Sequence, residues 1–418
     1  MYKKIIAFAK SKTVINGSWL YLLQIFNTIV PLLTLPYITR VLGSSEYGIF
    51  SFSLNLISYL QVMVEYGFNL SGARKIAGTE DKNEINKIYN SIMSSKLLLC
   101  GISVFLMFLI IVFGSFEKKQ LSIMIILFTM VIGASIQQIW LFQGLQKMKY
   151  ITIVNVITRT ISVIMIFLIV NEPNDIYIYS FLFAATTLGN GVFNYLIVKY
   201  KLKISFNFVS FKEIKLELVD GWYVFTTDAM SKIFSSFGLT VLGITASNSD
   251  VGIYAAIQKI PVMLSMMFAP LSQAIFPVVT KMYKNSFDEG NIFVKKVARI
   301  IIPVIGIVVS LICIFSEQII FLVYGETYSE MHIILIPLIL WMFLGIINNF
   351  LGIQTLVASG NQKAYSIAFR VGVLSLVVIN LLLGFAFGVY GIASAAFFAE
   401  LILTFSLLFQ IKKLKNSN

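Results

Sequence analysis

Few residues in this chain could do acid–base or nucleophilic chemistry, and they are badly placed for it. There is one histidine, His332, and the two cysteines, Cys100 and Cys313, both sit in apolar runs. Neither a zinc site nor a Ser/His/Asp triad has enough members, and no Walker sequence is present for ATP hydrolysis. No catalytic residue, metal or cofactor is therefore expected. The remaining polar groups suit binding. Asp228 and Lys232 stand four residues apart in the acid-first order that favours an ion pair on one helix face. Inside an apolar segment such charges cost several kcal/mol unless paired or hydrated, so they either brace the bundle or line a cavity. Arg159 and Arg370 each lie about 10–13 Å inside a span at 1.5 Å per residue. A guanidinium there can fork onto phosphate or snorkel to the interface. Asn16, Gln24 and Asn27 share one arc of a helix with Pro31 and Thr34. Asn55 and Glu65 lie on a second polar stripe, Gln258 on a third with Tyr254, Ser265 and Ser272. Lipid satisfies none of these groups, so the stripes must face protein or water. Close helix packing is the plainer reading for the Ser, Thr and Asn among them. Glu65 could also pair with Arg74 alone, and Glu400 stands mid-span with no partner visible in the sequence.

The elements that carry these residues are membrane spans. Of 418 residues, 58% are apolar and 12% charged, half the usual globular share of about 25%. This excludes a soluble fold and a disordered chain, and the long unbroken runs argue against a β-barrel. About twelve helices are expected, near 14–39, 47–69, 91–114, 121–145, 151–171, 175–198, 219–246, 251–280, 292–316, 331–358, 364–386 and 389–411. The net charge of +13 would suggest nucleic acid in a soluble protein, but here the bases sort by loop. Of 32 Lys and Arg, 26 fall on one side, including the loops around Lys82, Lys201 and Lys284, against Arg40, Lys118 and Lys119 on the other. The positive-inside rule then puts both termini in the cytoplasm of a multi-pass protein. No cleaved leader is expected, because the first span is long and carries Asn16, Gln24 and Pro31. The loops are short, which disfavours a membrane glycosyltransferase or polymerase and leaves a secondary transporter or channel.

Two stretches repeat. Val41-Leu42-Gly43 precedes Glu46-Tyr47-Gly48-Ile49-Phe50, and Val241-Leu242-Gly243 precedes Asp250-Val251-Gly252-Ile253-Tyr254. Gly144, Gln146 and Lys147 likewise match Gly360, Gln362 and Lys363. Two halves of six helices, each starting in the cytoplasm, imply a parallel repeat about the membrane normal. The expected division is a lobe over 1–200, a cytoplasmic linker over 201–218 and a lobe over 219–418.

Asn16-Gly17-Ser18-Trp19, Pro36-Tyr37-Ile38-Thr39-Arg40-Val41-Leu42-Gly43 and Glu46-Tyr47-Gly48 resemble the opening of polysaccharide-biosynthesis flippases of the Wzx type. Glu65-Tyr66-Gly67-Phe68 with Ala73-Arg74-Lys75-Ile76-Ala77 extends the likeness, as do Phe142-Gln143-Gly144 with Lys147 and Ala274-Ile275-Phe276-Pro277. The resemblance spans the chain. It implies the multidrug/oligosaccharidyl-lipid/polysaccharide exporter superfamily, whose members form a MATE-like V of two six-helix lobes around a central cavity. It also implies translocation of undecaprenyl-diphosphate-linked oligosaccharide, an O-antigen or capsular repeat unit, across the bacterial inner membrane by alternating access. Asn16, Gln24, Asn27, Asn55, Glu65, Asp228, Lys232 and Gln258 would then line the cavity, with Arg159 and Arg370 as phosphate ligands. Coupling to H+ or Na+ and association with a polysaccharide polymerase are further expectations of the family. A drug or cation exporter of the related MATE family is the alternative, and the motifs disfavour it.

Overall fold

In a bilayer the backbone must satisfy its own hydrogen bonds, and a chain this apolar does so by helix. The structure, a computed structural model, describes residues 12–417, which are helical nearly throughout and contain no strand. Lys3, Lys4 and Lys10 of the basic tail lie outside the described residues.

The helices of the first half are α1 (Lys12–Glu65), α2 (Phe68–Ala77), α3 (Lys82–Phe113), α4 (Lys118–Ile136), α5 (Ile139–Gly144), α6 (Met148–Ile169) and α7 (Ile176–Leu196), which ends in a π turn at Ile197–Leu202. The second half has α8 (Phe211–Thr245), α9 (Asn248–Asn285), α10 (Phe287–Ile314), α11 (Ser316–Tyr324), α12 (Glu326–Ser329) and α13 (Leu335–Asn348). A nine-residue π segment, Asn349–Val357, follows α13 and leads to α14 (Gln362–Ser417). Among the described residues nine helical stretches are long and apolar enough to cross a membrane. Two of them, Asn16–Ala77 and Gln362–Leu414, have 62 and 53 residues, more than twice the 20 or so that one crossing needs. Both are broken by a glycine in the left-handed region, Gly43 (φ 75°) in α1 and Gly388 (φ 54°) in α14. Those breaks fall where the sequence places the first-to-second and eleventh-to-twelfth junctions. α8 is not among the nine. Its first six turns carry Lys212, Glu213, Lys215, Glu217, Asp220, Asp228 and Lys232.

The chain divides into two compact units. Unit 1 holds the described part of Met1–Leu42 together with Phe52–Lys232. Its tightest seam joins α4 to α7, where small residues let backbones touch. A Cβ on Gly133 would stand 2.6 Å from the Leu188 backbone, and one on Gly191 would stand 2.4 Å from the Gly133 carbonyl. Unit 2 holds Gly43–Ser51 and the described part of Ile233–Asn418. Its core gathers Val279, Val309, Ile339, Met342, Ile346 and Phe350 from α9, α10, α13 and the π segment. One face of α10 carries Ile300, Val304, Ile307 and Ile314, all exposed, an apolar stripe of the kind a membrane span offers to lipid. Within unit 2 the two repeated motifs lie against each other. Gly48 and Gly252 meet backbone to backbone, and Ser44 Oγ lies 2.7 Å from Ser249 Oγ beside them.

Candidate functional site

In unit 1, two side-chain bonds fix the first half of α1 on α6 and its C-terminal edge. The Thr152 hydroxyl donates to the Trp19 carbonyl at 2.9 Å, and the Tyr37 hydroxyl donates to the Val170 carbonyl at 2.7 Å. With the helices registered this way, Asn27 faces Arg159, whose Nη1 donates to Asn27 Oδ1 at 2.8 Å. Arg159 is half-buried, and Tyr179 of α7, itself buried, lies beside it. Next to it in sequence, the Thr158 hydroxyl donates to Asn190 Oδ1 at 2.7 Å, so that neighbour is spent on joining α6 to α7. Arg159 presents five N–H donors and gives one to a neutral amide. A cation held at membrane depth by an amide suits an anionic ligand.

The other sequence-predicted residues divide by environment. Asn16 and Asn55 are buried, and Gln24 and Gln258 are half-buried. Glu65 ends α1 and accepts from Gln61 Nε2 at 2.9 Å, while Arg74, its expected partner, is exposed. Lys232 sits with its Nζ 5.8 Å from the centre of the Tyr59 ring, a cation–π contact between α8 and α1 inside unit 1. Asp228, one turn earlier, is exposed. Arg370 of unit 2 is exposed and donates from Nη2 to Ser366 Oγ at 3.2 Å, one turn back on its own helix. The two arginines that occupy equivalent places in sequence thus have different surroundings: Arg159 is drawn into a bundle and Arg370 lies along a surface.

Some polar residues have structural work. Gln354 is fully buried in the π segment and donates to the Ser272 carbonyl at 2.9 Å and to its hydroxyl at 3.0 Å; that hydroxyl donates to Asn349 Oδ1 at 2.8 Å. Ser272 therefore pins α9 to the π segment. Glu400 has a partner that the sequence concealed. Asn348 Nδ2 donates to its Oε1 at 2.8 Å and to its carbonyl at 3.1 Å.

Lys96 is the residue sequence reasoning passed over. It is 3% exposed on α3, and its Nζ donates at 2.7 Å to the Gln137 carbonyl, where α4 stops two residues before α5 begins. The ammonium covers a carbonyl that the broken helix leaves without an N–H, at the negative end of the helix dipole. A lone base in an apolar span signalled it, but the acceptor is a main-chain atom and leaves no trace in residue types.

Residues 14–283 match the family described as "Polysaccharide biosynthesis protein". A protein of Escherichia coli (strain K12), provisionally named an O-antigen transporter, is 30% identical over 87% of this chain and 88% of its own length. A Shigella dysenteriae protein of the same provisional name is 27% identical over 95% of this chain and 98% of its own. A capsular polysaccharide biosynthesis protein, CapF of Staphylococcus aureus, is 22% identical over 89% of this chain and 91% of its own. Among solved structures, the lipid II flippase MurJ in an inward closed conformation superposes with a TM-score of 0.72 at 18% identity, over 96% of this chain and 87% of that one. An inward-facing MATE multidrug transporter of the MOP superfamily superposes with a TM-score of 0.67 at 14% identity, over 93% and 98%. At those identities the likeness is one of fold: an all-helical polytopic membrane protein of the MurJ and MATE type. By the match over most of its length, the chain belongs to the polysaccharide biosynthesis protein family.

Proposed function

We propose that this chain is a flippase that moves undecaprenyl-diphosphate-linked oligosaccharide, an O-antigen or capsular repeat unit, from the cytoplasmic to the outer leaflet of the bacterial inner membrane. Two of its relatives are provisionally named O-antigen transporters, and the lipid II flippase MurJ shares its fold. The observation that carries the reading is Arg159 on Asn27: a guanidinium held by a neutral amide, in a helical bundle, with donors left for a diphosphate. Asn16, Gln24, Asn55 and Gln258 are amide side chains of the kind that hydrogen-bond sugar hydroxyls.

In this reading twelve spans form two six-helix lobes, both termini are cytoplasmic, and the lobes alternate access. Twelve spans follow if the two long helical stretches each cross twice and α8 crosses once. Coupling to H+ or Na+ and contact with a polymerase would be additions to this core activity. The likeness to MATE transporters is of fold, at 14% identity, and brings no drug substrate with it. Deleting the gene in its host tests the reading. Surface polysaccharide should disappear while lipid-linked repeat units accumulate on the cytoplasmic leaflet. Loss of polysaccharide without that accumulation would place the defect in synthesis and sink the proposal.

A further inference from the structure

Helix α8 belongs to both units. Phe211–Lys232 falls in unit 1 and the rest, from Ile233, in unit 2. It begins with a capping box: the Ser210 amide and hydroxyl donate to Glu213 Oε2 at 3.1 and 2.9 Å, and the Glu213 amide donates back to Ser210 Oγ. These bonds hold the Glu213 carboxyl below its ordinary range. Just before it the linker is tied to α3, with the Asn207 amide donating to Asn90 Oδ1 at 3.0 Å and the Val209 amide to Ser94 Oγ at 3.4 Å.

The next two turns are gripped from one point. Lys75, at the end of α2, donates from Nζ to Glu217 Oε1 at 2.8 Å and to Asp220 Oδ2 at 3.0 Å. Ser91 of α3 donates to the other Glu217 oxygen at 3.3 Å. Above the ion pairs the contact narrows to the Tyr66–Gly67 break between α1 and α2, where both residues have positive φ. There Tyr66 stacks on Phe225 at 4.4 Å, and a Cβ on Gly67 would come within 2.5 Å of Val224. The opposite face of this stretch is open: Leu216, Val219, Trp222 and Tyr223 are exposed. The far end is held differently. Val241 and Leu242 are buried, and Gly238 packs on Ile392 and Asn380.

A helix does not stretch, so any displacement of one unit against the other must bend α8 or release one of its two anchorages. The unit 2 anchorage is buried and, among the described residues, carries no ion pair, with Val241, Leu242 and Ile392 beside the amide of Asn380. The unit 1 anchorage turns on a lysine whose side chain is 30% exposed; it holds an aspartate that is 61% exposed, a bond that water can replace, and a glutamate that is only 7% exposed. We propose that Lys75, with Glu217 and Asp220, is a catch that holds the first half of α8 on unit 1 and opens in each transport cycle. The cycle itself rests on the flippase reading; the catch does not.

Two measurements test it, both in a background with Cys100 and Cys313 replaced by serine. In the first, Val224→Cys reports the seam by its rate of thiol labelling. Lys75→Ala removes a charge-assisted bond and should raise that rate about tenfold. The exchange Lys75→Glu with Glu217→Lys and Asp220→Lys should bring it back toward the original. Unchanged labelling in Lys75→Ala overturns the catch, whatever the chain transports. In the second, Lys75→Cys with Asp220→Cys is bridged by a short bis-methanethiosulfonate, which joins both thiols through disulfides and releases sulfinate. Glycan export should stop on bridging and resume on reduction. Export at the unbridged rate would show that the catch need not open, which also overturns it.

Discussion

Replacing Gly48 with alanine should damage unit 2 far more than a one-methyl change ordinarily does. The added Cβ would stand 1.7 Å from the Asn248 carbonyl oxygen, 2.8 Å from its carbon and 2.9 Å from the Gly252 nitrogen. Ordinary contact begins near 3.4 Å, so the two helices would have to part by roughly 1.7 Å, and every atom in the way is backbone. No rotamer change relieves it. Overpacking of this kind costs about 1–3 kcal/mol or more, against which alanine returns at most ~1 kcal/mol of helix preference. Gly101 of α3 is the internal control, because a Cβ there meets nothing within 4 Å. Gly101→Ala should therefore be neutral or stabilising by ~0.5–1 kcal/mol. Unfolding followed by tryptophan fluorescence in mild detergent should separate the two variants by about 2–4 kcal/mol, and Gly252→Ala should track Gly48→Ala. Equal stability of Gly48→Ala and Gly101→Ala would refute the contact between the repeated motifs.

Arg159→Ala should abolish most export and Arg159→Lys should retain a fraction, since lysine keeps the charge and loses the fork. Arg370→Lys, at an exposed site beside Ser366, should export normally, and a loss there comparable to Arg159→Lys would support the phosphate role that the sequence suggests for both. Lys96→Ala should cost about 3–5 kcal/mol of stability, because it uncovers the Gln137 carbonyl and opens a cavity. Lys96→Met should cost less by filling the space, and equal losses would deny the capping role. Single cysteines near residues 82, 201 and 284 should resist impermeant thiol reagents applied from outside, while sites near Asp175 and Glu326 should react. Labelling of the 201 loop from outside would overturn orientation and helix count together.

The helical membrane class was legible in the sequence because hydropathy is a property of residue types, and the family because its motifs are short runs of neighbours. The repeat around Gly48 and Gly252 was legible too, but not that its copies touch: a glycine requirement comes from what lies opposite, which sequence does not display. Arg159 and Arg370 looked equivalent by position. Their difference arises from Asn27, a residue more than a hundred places away from Arg159 that helix registration brings alongside. Lys96 and Glu400 were visible as charges in apolar runs, yet their partners are a main-chain carbonyl and a neutral amide. Neither hydrogen-bonding partner carries a charge, although the Glu65 carboxylate lies close enough to Lys96 to act on it through space. Four-residue spacing puts Asp228 and Lys232 on one helix face, but it says nothing of the Tyr59 ring that Lys232 also meets. Nor does residue type reveal that α8 is shared between units, or that Lys75 reaches two carboxylates about 140 places on.

The central claim is translocation of a diphosphate-linked lipid, and reconstitution tests it most directly. The purified chain would be placed in liposomes carrying a fluorescent polyprenyl-diphosphate oligosaccharide, with an impermeant glycosidase outside to report the fraction of sugar exposed. With the chain present, the protected inner-leaflet pool should become susceptible, and Arg159→Ala should slow this strongly. The same lipid bearing a neutral head in place of the diphosphate should move poorly. Protection unchanged from protein-free liposomes, or equal rates for wild type and Arg159→Ala on both lipids, would contradict the account.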